Sequence, residues 1–147
     1  MFMVEKTIIC DWLGYEIKVF GSSEFVPEGY IDYCVKFLNC LSKDIIADVI
    51  NALAIYRNDM IACTGDFFLL GKFVMDEVYI TSMRVDDPID VHIPAICLLG
   101  SCEWEPEHGV EIDILGDRIV YVGDYTGNSP WSDFGKLNYN YAKISER

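Results

Sequence analysis

Basic residues are scarce. Lys and Arg together number 11 against 24 Asp and Glu, which leaves a formal charge of −13 at neutral pH over 147 residues. The few cations are scattered and form no patch, so the chain lacks the phosphate-tracking surface that nucleic-acid binding requires. Histidine is scarcer still, with only His92 and His108, and a three-histidine metal site is ruled out. No apolar run reaches the roughly 18 residues of a membrane-spanning helix. The opening "MFMVEKTIICDW" carries charges inside its apolar part and no small-residue cleavage site, so no secretory leader is expected and the chain is read as cytoplasmic. The motifs G-x-S-x-G, H-E-x-x-H and G-x-x-x-x-G-K are all missing. The six cysteines show no C-x-x-C pair and no zinc-finger spacing, so they read as small buried hydrophobes in a reducing compartment.

What is present is ample core material. Hydrophobic residues make up 52% of the chain and aromatics 14%, in a length suited to a single domain spanning residues 1–147. Tyr15, Ile17 and Val19 alternate with Glu16 and Lys18, which predicts a β-hairpin from Thr7–Cys10 and Tyr15–Phe20 with one wet face. From Glu28 to about Leu41 the apolar period becomes helical. After Ser42, an N-cap residue by type, "KDIIADVINALAIYRND" continues at helical spacing. Asp44 suits the positive end of this second helix, and Arg57 is expected at its negative end. Phe67–Leu70 reads as a strand or a short buried turn. "VYITSMRV" (Val78–Val85) is a strand, and Ile96–Cys102 is another, with Pro94 held to its start. In the last hairpin Val110, Ile112 and Ile114 alternate with Glu111 and Asp113, and Gly116-Asp117 predicts a two-residue type II′ turn before Ile119–Val122. The aromatic, polar tail is expected to cover a sheet edge. The fold class is α+β, a mostly antiparallel sheet with a two-helix hairpin packed on one face.

The densest stretch for chemistry is Cys102–Gly109. A catalytic reading makes His108 a general base, with Glu107 and His92 as partners, in a hydrolase or a metal-dependent enzyme. The spacing opposes it. On an extended chain Glu105 and Glu107 point one way and His108 the other, and Pro106 resists helix beyond a first turn. The favoured reading is structural. Trp104 anchors the strand end, Pro106 and Gly109 shape the turn, and the acids face water. No catalytic residue, metal or cofactor is expected.

The segment Trp104–Ile112, "WEPEHGVEI", followed by "GDRIVYVGDYTG" (Gly116–Gly127), resembles a bacterial family of uncharacterised proteins with a W-x-P-E-H-G motif. Where that family carries a D-G-type turn, this chain has Gly116-Asp117. Related E-H-G hairpins occur in immunity proteins of toxin systems. The resemblance implies a small accessory protein and supplies no catalytic residues. With the acidic charge, it points to a protein-binding module whose partner is a basic protein such as a toxin. The expected binding residues are Trp104, Glu105, Glu107, His108, Tyr125, Trp131 and Phe134, with Tyr139 and Tyr141 as further aromatic candidates. Neither nucleic acid nor membrane is expected as a partner, and monomer and homodimer stay open.

Overall fold

The computed structural model describes residues 4–67, 72–137 and 139–142. Two strands open the chain, β1 (Glu5–Cys10) and β2 (Tyr15–Gly21). Two helices follow, α1 (Glu28–Asn39) and α2 (Lys43–Thr64). A 3₁₀ turn at Val74–Glu77 leads into β3 (Val78–Val85), and β4 (Ala95–Cys102), β5 (Val110–Leu115) and β6 (Arg118–Gly123) complete the sheet. The six strands lie in sequence order, and every neighbouring pair is antiparallel except β2–β3. A parallel pair needs a long crossover, and here the two helices provide it. The fold is α+β. Of the expected Phe67–Leu70 element, only Phe67 falls within the described residues, and it is exposed.

The helices form where the sequence gives them a buried stripe and ends. In α1, Ile31, Cys34 and Leu38 are fully buried at helical spacing. Ser42 caps α2, its hydroxyl accepting from the Ile45 N–H at 3.1 Å. Gly65 ends α2 in the left-handed region at φ 80°, where its N–H reaches the Ile61 carbonyl. The helix thus runs past the position expected from the Arg57 signal. Arg57 lies inside it and is buried, pairing with Glu77 at 3.2 Å and donating to the Lys72 carbonyl at 2.8 Å. Its charge serves a side-chain pair, not the helix terminus.

One core cluster draws on both helices and on the strands. It includes Ile31, Leu38, Val49 and Leu53 from the helices and Ile17, Ile80, Leu98, Ile112 and Val122 from the sheet. The final hairpin turns at Gly116, φ 61°, with Asp117 on the negative-φ side and Leu115 paired to Arg118. That is the pattern of a type II′ turn and excludes type I′, which needs positive φ at both positions.

Both margins of the sheet carry an asparagine. At β1, the Asn39 Nδ2 donates to the Ile9 carbonyl at 3.2 Å, and its Oδ1 accepts from the Asp11 N–H at 2.9 Å. At β6, the Asn140 Nδ2 donates to the Val120 carbonyl at 2.8 Å, and its Oδ1 accepts from the Val122 N–H at 3.3 Å. In each case one carboxamide meets the outward carbonyl of residue i and the outward N–H of residue i+2.

Candidate functional site

The β4–β5 connection is built on two glycines and a buried aromatic group. Gly109 has φ 66°, and a Cβ there would sit 2.4 Å from the Gly100 carbonyl oxygen; a Cβ on Gly100 would in turn sit 2.1 Å from the Tyr79 oxygen. Only glycine at both positions lets the turn close onto the sheet. Beneath the turn, Tyr56 meets Trp104 edge to face, with centroids 5.5 Å apart, and stacks on Tyr141 at 4.9 Å. The Tyr56 hydroxyl donates to the Gly109 carbonyl at 3.0 Å, and the Tyr141 hydroxyl donates to Asp59. Trp104 is therefore an anchor of the turn.

On the outside of this turn, Glu107, His108 and Tyr125 line one open depression together with Pro106, Leu99 and Val110. The Tyr125 N–H donates to the His108 carbonyl at 3.1 Å, which brings the chain after β6 against the turn. The His108 Nδ1 lies 3.3 Å from the Glu105 carboxylate. Tyr125 is 55% exposed, and Glu103 and Glu107 also face solvent. Of the expected binding residues, Glu105, Glu107, His108 and Tyr125 are thus gathered at one place. Trp104 and Phe134 are not surface anchors: both are buried, Phe134 stacking on Tyr121 at 5.2 Å. Trp131 is half-buried against the core. Tyr139 is exposed, whereas Tyr141 is buried.

The alternative catalytic set is not brought together. His92 precedes β4 and His108 follows it, so the length of an eight-residue strand, about 25 Å, separates their loops. His92 lines a different depression, beside Tyr30 and Tyr33. Its N–H bonds to Asp90, and its carbonyl accepts from the Tyr33 hydroxyl.

A second group of chemically capable side chains lies within the sheet itself. The strand register places Phe20, Arg84, Cys97, Asp113 and Tyr121 in one cross-strand row, with Glu111 opposite Leu99 in the next. Residues opposed in this way share a face and touch. Glu111 and Asp113 alternate with apolar residues in β5, and both are fully buried. The chain after β6 covers them. Glu111 accepts from the Thr126 N–H at 3.0 Å, the Thr126 hydroxyl at 2.9 Å and the Gly127 N–H at 3.1 Å. Arg84 pairs with Asp86 at 2.9 and 3.2 Å and donates to the Asn128 carbonyl at 2.7 Å.

Asp113 has no such support. Among the described residues, neither of its buried oxygens accepts a hydrogen bond. Burial, with the Glu111 carboxylate alongside, pushes it up to about 10. Three donors are aimed at Glu111 and none at Asp113, which holds a proton. Burial and Asp113 also push the Cys97 thiol up, against an opposing pull from Arg84. The reading of cysteines as buried hydrophobes describes Cys10, Cys34, Cys97 and Cys102, while Cys40 and Cys63 are exposed.

Among the described residues no helix is long and apolar enough to cross a membrane. No curated protein and no solved structure matches the chain. Residues 2–129 match the model of a family described as a domain of unknown function, DUF6985, and the chain belongs to that family.

Proposed function

We propose that the protein is a non-enzymatic binding module that docks a basic protein partner through the outer surface of the β4–β5 turn. The observation that carries this reading is the joint placement of Glu107, His108 and Tyr125 around one open depression that, among the described residues, no Lys or Arg lines. An exposed tyrosine beside carboxylates offers an aromatic anchor with a favourable field for a cation-rich surface. The charge of −13 extends that field over the whole molecule and speeds encounter with a positively charged partner. On this reading the helix pair forms one layer on one face of the sheet, and the buried aromatics beneath the turn hold its outer face rigid.

The partner class that fits best is a basic toxin, with this chain as a bacterial immunity protein acting in the cytoplasm. The W-x-P-E-H-G segment and the acidic surface support that assignment. The test is to purify this chain with the product of a neighbouring gene encoding a basic, toxic protein. A nanomolar complex is expected, with association slowed by salt and affinity lowered at least about tenfold by Glu107→Lys or Tyr125→Ala. No complex with such a product, or one untouched by both substitutions, overturns the reading.

A further inference from the structure

The row beneath the post-β6 chain combines features that a purely structural cluster does not need. Cys97, Glu111 and Asp113 are each fully buried. One Sγ and one oxygen from each carboxylate all lie within 4.8 Å of one another. Glu111 is held in place by Thr126 and Gly127, yet among the described residues neither Asp113 oxygen has a hydrogen-bond partner. An unpartnered carboxyl costs stability at that depth, so its presence beside a thiol and an oriented second carboxylate calls for an electrophile. We propose that Cys97, Asp113 and Glu111 bind a single divalent transition cation of the zinc class.

The donor set selects the metal. A thiolate disfavours Mg²⁺ and Ca²⁺, which take oxygen ligands, and favours zinc-class ions, which accept sulfur and carboxylate together. Zinc–sulfur and zinc–oxygen bonds of about 2.3 and 2.1 Å put tetrahedral ligand atoms roughly 3.6 Å apart, so the three groups need draw inward by at most about 1 Å. Thr126 and Gly127 act as the outer shell that fixes the Glu111 carboxylate. On binding, the Cys97 thiol and the Asp113 carboxyl each give one proton to solvent. Two protons leave for one dication, so the buried charge does not change. A fourth position is left for water or a small exogenous ligand.

The test uses Co²⁺ alone as the probe on the chelator-treated full-length chain. One equivalent is expected to bind with a thiolate-to-cobalt charge-transfer absorption in the near ultraviolet, displaced by Zn²⁺ and not by a large excess of Mg²⁺ or Ca²⁺. Cys97→Ser abolishes that band, whereas Cys40→Ser and Cys63→Ser, at the exposed thiols, retain it. Asp113→Asn keeps the far-ultraviolet circular dichroism of the native chain and lowers Co²⁺ affinity at least about tenfold. The proposal is overturned if no band forms even after unfolding and refolding with excess Co²⁺, if the band survives Cys97→Ser, or if Asp113→Asn binds as tightly as the native chain.

Discussion

Asp113→Asn in the metal-free protein should stabilise the fold, and the gain should grow with pH. In the native state burial and Glu111 raise the Asp113 carboxyl from 3.8 to about 10. The unfolded chain releases that proton near the ordinary carboxylate range, so between about pH 4 and pH 10 the native state binds one proton more than the unfolded state. Stability therefore falls as pH rises through that window, by about 1.4 kcal/mol per pH unit at most. Below the window both states are protonated and the penalty vanishes. At pH 7 it amounts to about 4 kcal/mol, a large share of the roughly 5–15 kcal/mol that a domain of this kind has to spare. Asparagine is nearly isosteric with the neutral acid and cannot ionise in this range. Urea unfolding in EDTA buffers at pH 5, 7 and 8.5 gives the comparison. The two proteins should differ by about 1–2 kcal/mol at the lowest pH and by more than about 4 kcal/mol at the highest, with equal m-values. A constant offset across pH, or a variant less stable than the native chain at pH 8.5, refutes the assignment of the proton to Asp113.

Two other substitutions probe the frame around the sites. Glu77→Ala leaves Arg57 buried without its 3.2 Å partner, and calorimetry or urea unfolding should show a loss of about 3–5 kcal/mol. Gly109→Ala forces a side chain into φ 66° and against the Gly100 carbonyl, so unfolding should cost more than about 1 kcal/mol less, accompanied by a changed near-ultraviolet signal from Trp104 and Tyr56.

The strands and helices were largely legible because each carries its own period and punctuation. Val78–Val85 matches the expected strand end to end, and the Ser42 cap fixes the start of α2. Arg57 does not mark the end of α2: Gly65 is the stop signal, and the partner of Arg57 is Glu77, distant in sequence. The turn at Cys102–Gly109 was legible as a turn, since Pro106 and Gly109 act locally. The identity of its exposed residues was only partly legible: Trp104 and Phe134 have the composition of interface anchors, and nothing local distinguishes a buried aromatic from an exposed one. The Cys97–Glu111–Asp113 group is not legible in the sequence for a related reason. Alternation in β5 shows that two acids share a face, but whether that face is wet depends on the chain after β6, and the sheet register alone sets Cys97 beside Asp113.

Asn39 and Asn140 also bear on how the molecule meets copies of itself. At each outermost strand one carboxamide already supplies the donor and the acceptor that the backbone of a seventh strand would bring. A chain adding at either of those positions must first displace a side chain that already holds those two bonds. Strand addition at those two points, the first step toward an open-ended cross-β stack, is thereby obstructed on both flanks by two residues that hold no charge.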